Sequence, residues 1–202
     1  MTPSFFADRR PHAGLTFDAY LELMASQAAA PPPDDVEAAE KIEFTQLNLH
    51  RSGRISRTWR PSDELAALAS RLAGPQLWMV LTEPWCGDSA QCLPCLAVLA
   101  AGLPAVDLRI LPRDENLDIM DQFLTDGKRS IPILVAFDTA GRELYRWGPR
   151  PAGAQAVVDQ ALAEGLDKPA RLERLHLWYG RNRGREVDAE FAAVLRRHLD
   201  GS

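Results

Sequence analysis

The 202-residue sequence contains little cysteine. Its three cysteines, Cys86, Cys92 and Cys95, all lie within one short segment. An odd number of clustered cysteines does not form a disulfide framework. Such a set is typical of a reducing compartment, where thiols are catalytic, metal-binding or simply buried. We therefore predict a cytoplasmic protein.

Long hydrophobic runs are also absent. The longest apolar stretch, residues 92–106, is interrupted by Pro94 and Pro104 and is shorter than the ~20 residues that cross a bilayer. Residues 1–14 contain no apolar run followed by a cleavage site, so we predict no secretory signal. These absences predict a protein that does not associate with membranes.

The sequence also lacks an excess of positive charge, since its net charge is -5. Phosphate contacts require clustered positive charge, so we predict no binding to nucleic acid. One basic stretch near the C-terminus contains Arg171, Arg174, Arg181, Arg183 and Arg185. Acidic residues are interspersed with it, which favours a solvated surface over recognition of an anionic partner.

What is present is an ordinary globular composition with an alternating order of elements. Hydrophobic residues make up 46% of the chain, enough for one full core. Local patterns from residue 77 predict the order β, α, β, α, β, β, α. The elements cover 77–81, 87–101, 106–111, 115–126, 133–137, 143–147 and about 152–164. Strands joined by a helix are parallel and strands joined by a tight turn are antiparallel, so this order predicts an α/β fold with a mixed sheet.

The remaining segments predict helical extensions on both sides. We assign residues 1–60 to an N-terminal helical extension, 61–165 to the central domain, and 166–202 to a C-terminal helical extension packed on it. Residues 1–15 are expected to be loosely structured. A helix beginning after Asp35 is expected to turn Val36, Ala39 and Ile42 toward the core.

Cys86 is the candidate reactive residue, because it follows a buried strand and begins a helix. The free amides of the first helical turn and the helix dipole favour a negative charge there, which predicts a lowered thiol pKa. Gly87 lets the turn pass close to the sulfur, and Trp85 would shield it from water.

These residues resemble the thioredoxin superfamily. The features that match in order are Trp85-Cys86-Gly87, Pro94 eight residues after the cysteine, and Ser130-Ile131-Pro132 before the third strand. The segments 116–124 and 146–151 are similar to a bacterial branch with a Trp-Cys-Gly-Asp motif and a helical N-terminal extension. The resemblance implies a thioredoxin-like fold with a central four-stranded mixed sheet, a cis peptide bond before Pro132, and no cofactor.

The resemblance also implies the site. Cys86 and Ser89 are the catalytic positions, with the serine where a resolving cysteine would stand. The implied substrate-binding residues are Trp85, Gly87, Asp88, Ser130, Ile131 and Pro132. The Ser89 hydroxyl can stabilise a thiolate and the Asp88 carboxylate opposes one. Val80 occupies the position of the family's buried acid.

Cys92 and Cys95 form a second C-x-x-C pattern in the middle of the predicted helix. Successive helical residues turn by ~100°, which carries both thiols away from the face of Cys86. Three interpretations stay open: buried small side chains, a resolving role after local unwinding, and a metal site. We favour burial, retain both cysteines as candidate resolving residues, and predict no bound metal.

Three functions are compatible with this sequence. The first is a thiol-disulfide oxidoreductase that uses Cys86 alone on a protein or low-molecular-weight thiol substrate. The second is a redox-inactive peptide-binding module, and the third is a thiol redox sensor. The oligomeric state is not predicted.

Overall fold

The structure is a computed structural model that describes residues 2–31 and 33–201. Met1, Pro32 and Ser202 belong to the predicted extensions and lie outside the described residues. None of the helices in the described ranges is both long enough and apolar enough to span a bilayer.

A four-stranded mixed sheet forms the centre of the molecule. Its strands are β1 (Gln76–Thr82), β2 (Val106–Pro112), β3 (Ile133–Phe137) and β4 (Glu143–Trp147), in the spatial order β2-β1-β3-β4. β1 pairs with β2 in parallel and with β3 antiparallel, and β3 pairs with β4 antiparallel. Every residue of β1 is buried. The predicted fold class, including the mixed sheet, is confirmed.

Three helices connect or follow these strands: α5 (Gly87–Ala101), α6 (Leu117–Met120) and α7 (Ala152–Ala163). The helix predicted over 115–126 is wrong beyond the single turn of α6. Asp126 and Gly127 have positive φ angles, and Thr125 and Lys128 bridge to each other, so the chain leaves the helical path. Leu124, which a continued helix would turn to the same face as Met120, is 40% exposed, and Phe123 is buried instead.

The segment before the sheet contains α1 (Ser4–Ala7), a 3-10 turn (Pro11–Ala13), α2 (Phe17–Ala28), α3 (Val36–Thr58) and α4 (Asp63–Ala69). The longer helices have side-chain caps, since Thr16, Asp35 and Ser62 each accept a bond from a backbone amide. Val36 is 74% exposed, so the expectation that it faces the core is wrong. It occupies the first helical turn, beyond the part of α3 that packs on the protein.

The first residues are better ordered than the sequence analysis predicts. Phe5 and Phe6 are buried against Phe137, with ring centroids 6.1 and 5.3 Å away. Leu15 then bridges to Ile110 in β2. Two large side chains in such a short helix stabilise it through burial, since each buried aromatic removes ~150–250 Å² from water. The expectation of loose structure is therefore wrong for residues 2–15, the part of that segment that the structure describes.

After α7 the chain forms two long helices, α8 (Lys168–Asn182) and α9 (Arg185–Asp200). Arg183 and Gly184 between them both adopt left-handed backbone conformations, which turn the chain sharply. α9 packs on β4 and α4, and its Phe191 contacts Trp78 of β1 at a centroid distance of 5.2 Å. The C-terminal helices therefore share the main hydrophobic core.

Candidate functional site

Cys86 lies where β1 has ended and α5 begins. It is the N-cap residue of α5, and its thiol donates a hydrogen bond to the Ile131 carbonyl oxygen at 3.4 Å. The Ile131–Pro132 peptide bond is cis and immediately precedes β3. The sheet therefore places the sulfur directly against the loop that the sequence analysis assigned to substrate binding.

The pKa of Cys86 is not lowered as expected. Burial is the main cause and the Asp88 carboxylate is the second, and together they raise the pKa of the thiol to about 11. The Ser89 hydroxyl and the amides of Asp88 and Ser89 act in the opposite direction but do not compensate. The predicted helix-start effect is therefore present, and desolvation of a side chain that is only 7% exposed outweighs it.

The Ser89 hydroxyl connects Cys86 to the N-terminal helices. It is buried and shares a short hydrogen bond with the Thr82 hydroxyl at the end of β1. Thr82 also interacts with the hydroxyl of Tyr20 from α2, whose pKa is raised chiefly by burial. A series of buried hydroxyls thus leads from α2 to the thiol.

Asp88 is held inside the protein rather than offered to solvent. Its carboxylate accepts hydrogen bonds from Arg150 at 2.7 Å and from the Tyr179 hydroxyl of α8 at 2.6 Å. Burial raises the pKa of Asp88, although Arg150 and Tyr179 act to lower it. Arg150 and Tyr179 are site residues that the sequence analysis missed. Arg150 lies in a segment used only for the family resemblance.

His176 of α8 is a third residue that the sequence analysis did not place at the site. A Cβ added to Gly87 would lie 3.0 Å from the His176 ring, so glycine allows α8 to pack closely beside Cys86. Burial, with Arg51 nearby, lowers the pKa of His176 to about 4. Its Nδ1 atom is buried and has no hydrogen-bond partner among the described residues.

Cys92 and Cys95 lie deeper along α5. Both side chains are fully buried, and all three cysteines are free thiols. Cys92 Sγ lies 3.8 Å from the Tyr179 hydroxyl, and Cys95 Sγ donates to the Gln91 carbonyl at 3.7 Å. Burial raises the pKa of both thiols. These surroundings favour the interpretation as buried small side chains.

A cleft of about 670 Å³ opens at Cys86, between α3, α8 and the loop before β3. Six of the implied site residues line it: Trp85, Cys86, Gly87, Asp88, Ser130 and Ile131. Ser89 and Pro132 are not among its lining residues. In the described ranges 2–31 and 33–201, no group of three or more histidine, cysteine or acidic side chains is arranged to hold a metal ion.

The mouth of this cleft carries charged pairs. Lys168 of α8 forms an ion pair with Glu40 of α3 at 3.0 Å, and its ammonium group lies 5.7 Å from the Phe44 ring of α3. These two contacts join the helices. Arg113 and Lys41 lie over the Trp85 ring at 5.1 and 5.7 Å. Trp85 therefore lies beneath cations instead of facing open water.

A family model described as Thioredoxin matches residues 36–162, which include α3, the whole sheet and α5. The chain belongs to the thioredoxin family. Among curated proteins, no significant relative is found.

Two solved structures share the thioredoxin-family fold of this chain over nearly its whole length. One is a crystal structure of a protein of unknown function from Pseudomonas aeruginosa, with a TM-score of 0.58, 19% identity and 95% of each chain covered. The other is an HIV epitope scaffold, with a TM-score of 0.54, 20% identity and 94% of each chain covered. At these identities the likeness concerns the fold alone.

Proposed function

We propose that this thioredoxin-family protein is a thiol-disulfide oxidoreductase that reacts through Cys86 alone. The observation that carries the proposal is the position of the Cys86 sulfur, which faces the Ile131 carbonyl inside a cleft large enough for a small thiol or a peptide segment. As part of the same proposal, we place the protein in the bacterial branch with a Trp-Cys-Gly-Asp motif and in the cytoplasm, as expected from the sequence. Three free thiols support a reducing compartment.

The proposed reaction is an exchange in two steps. Cys86 attacks one sulfur of a substrate disulfide, forming a mixed disulfide, while the other sulfur leaves as a thiolate and takes up the proton from Cys86. A second thiol from solution then attacks the mixed disulfide. It takes the substrate sulfur as a new disulfide, and Cys86 leaves as a thiolate and is reprotonated. Ser89 cannot perform this second attack, because a hydroxyl does not reduce a disulfide.

The raised pKa limits the reactivity of the resting protein. Because burial raises the pKa of Cys86 to about 11, the thiol is almost entirely protonated at pH 7. A disulfide substrate must therefore enter the cleft and contact the sulfur for exchange to proceed. The same burial disfavours a sensor function, since oxidation follows thiolate character and exposure.

Mass spectrometry of the native protein after incubation with a small disulfide tests the proposal. We expect one adduct, on Cys86, that a second thiol removes, and no adduct in Cys86→Ser. Cys92→Ser and Cys95→Ser are matched controls that should retain the Cys86 adduct. A native wild-type protein that remains unmodified, or is modified equally in Cys86→Ser, contradicts the proposal.

The second candidate is a redox-inactive peptide-binding module. The protonated, buried sulfur and its bond to Ile131 favour this function, because neither requires a reactive thiol. Absence of the Cys86 adduct, together with peptide binding that is equal in wild type and Cys86→Ser, would support the module over the oxidoreductase.

A further inference from the structure

A second charged region lies at the other ends of α3 and α8, away from the Cys86 cleft. Its members, here called the arginine surface, are Arg54, Arg60, Arg181, Arg183 and Arg185. All five are exposed. They belong to two distant parts of the chain, the end of α3 with the segment after it and the α8–α9 turn, which the fold brings together.

These arginines lie in two segments that contain no acidic residue, one between Glu43 and Asp63 and the other between Glu173 and Glu186. Residues 44–62 and residues 174–185 are two segments without aspartate or glutamate, although the whole chain has more acidic than basic residues. Taken alone, the second segment favours a solvated surface. The fold brings Arg54 and Arg60 of the first segment beside the three arginines of the α8–α9 turn.

None of the five arginines forms an ion pair with a carboxylate of residues 2–31 or 33–201. Arg185 donates only to the backbone carbonyls of Asn182 and Arg181. Asp188 is the one acid among the lining residues described for this region. Its carboxylate accepts from the Ser62 amide at 2.8 Å and the Ser62 hydroxyl at 2.5 Å. One carboxylate beside five guanidinium groups leaves a net positive charge around this region.

The arginine surface surrounds three adjoining hollows of about 420, 560 and 380 Å³. Arg183 lines all three, so it lies at the centre of the surface. Each hollow is within the range that small ligands occupy, roughly 300–1,000 Å³. Like charges repel one another at close range, and a bound anion would relieve that repulsion.

The chemistry favours phosphate groups on a compact ligand. Guanidinium groups donate two parallel hydrogen bonds to phosphate, and several arginines around one hollow suit a ligand with several negative charges. Without these five charges the rest of the chain has a net charge of about -10, which repels a long nucleic acid. Trp59 beside the surface is only 8% exposed and offers no platform for stacking bases. An acidic peptide bound in extended form would need a sheet edge, and helix ends form this surface.

We propose that the arginine surface binds a small ligand that carries several phosphate groups. This site is separate from the Cys86 cleft and does not depend on the proposed redox function.

Calorimetric titration of the full chain with inorganic tripolyphosphate tests the proposal. We expect saturable binding that weakens as salt is raised, and at least about tenfold weaker binding in Arg60→Gln/Arg183→Asn. Arg71→Gln removes an exposed arginine elsewhere and should bind as wild type does. Asn suits the left-handed conformation of residue 183, so the variant is expected to fold, and its unfolding curve checks this. Titration with a nucleoside triphosphate shows whether a base adds to the affinity.

Two further titrations decide between classes of ligand. Absence of tripolyphosphate binding to wild type, or equal affinity in the double variant, overturns the proposal. Tighter binding of a polyglutamate peptide or of a single-stranded oligonucleotide than of either phosphate compound also overturns it, in favour of an acidic protein or a nucleic acid. Cys86→Ser should bind tripolyphosphate normally, so failure of the redox proposal leaves this one intact.

Discussion

Helices α3 and α8 contribute to two charged regions, which differ in whether their cationic side chains are paired with carboxylates. At the Cys86 cleft, five cationic side chains line the walls and each is paired with a carboxylate: Lys41, Arg113, Arg129, Arg150 and Lys168. At the arginine surface, five cations have no carboxylate partner among the described residues. The paired cations are neutralised by carboxylates of the protein, whereas the unpaired cations are available to an anionic ligand.

This difference has an energetic consequence. Removing one member of a buried pair leaves the other charge desolvated and uncompensated, which is strongly destabilising. Removing one of several like charges on a surface relieves repulsion, so stability should be unchanged or slightly raised. The following variants test whether the two regions differ in this way.

Asp88→Asn should give the largest effect. It leaves Arg150 without a counter-charge next to a buried amide, and we expect the free energy of unfolding to fall by about 3 kcal/mol or more. Urea unfolding measures the loss. Asp118→Asn is the matched control, since Asp118 pairs with Arg10 at an exposed position, and its loss should be much smaller than that of Asp88→Asn. Equal losses in the two variants would remove the distinction between buried and exposed pairs.

Alkaline pH should lower the free energy of unfolding through the buried Cys86 thiol. The folded protein keeps the Cys86 proton up to a pKa of about 11, whereas the unfolded chain releases it near 9.0. The folded state therefore binds more protons between these pH values, so stability falls as pH rises. The Cys86 contribution is about 1.4 kcal/mol per pH unit.

Unfolding free energies of wild type and Cys86→Ala, compared between pH 9 and pH 11, check this contribution. The variant should show the shallower dependence on pH. Arg183→Gly should keep the wild-type dependence, because it leaves the Cys86 thiol and the residues around it unchanged. Parallel curves for wild type and Cys86→Ala would show that the folded thiol is not protected from ionisation.

Arg183→Gly tests the arginine surface through stability alone. Residue 183 has a φ of 54°, where glycine is favoured over a residue with a side chain. Relief of backbone strain and of repulsion should together raise the free energy of unfolding by about 0.5–1 kcal/mol. A loss measured by thermal or urea unfolding would show that the Arg183 side chain stabilises the turn instead.

The sequence is sufficient to predict the sheet and the helix after Cys86, because their apolar runs and breakers are local signals. It also predicts that the segments around Cys86 and Ile131 share one site. It does not predict the sign of the Cys86 pKa shift, since desolvation depends on the tertiary packing of distant residues around the sulfur. Tyr179 and His176 lie about 90 residues from the motif, and no local pattern relates them to it.

Phe5 illustrates a second limit. The two phenylalanines that follow Pro3 and Ser4 form a segment too short to show helical periodicity. Their burial is explained only by the apolar side chains on the face of the sheet against which they pack. The arginine surface shows the same limit for charge. Residues 44–62 and 174–185 each look like ordinary solvated helix, and their shared location depends on how α3 and α8 pack.

Lys168→Gln should give the smallest effect on stability and the most direct view of the cleft. Lys168 and Glu40 are 61% and 50% exposed, so their ion pair contributes less than about 1 kcal/mol, and less still at high salt. The pair nevertheless joins α8 to α3 at the mouth above Cys86. We therefore expect a nearly unchanged free energy of unfolding but faster alkylation of Cys86 in the native protein, measured by mass spectrometry at pH 8.

Lys128→Gln, which changes an exposed lysine outside the cleft, is the control. If both variants alkylate at the wild-type rate, the charged mouth does not restrict access, and the burial of the sulfur by the Ile131 loop and α8 alone accounts for its protection.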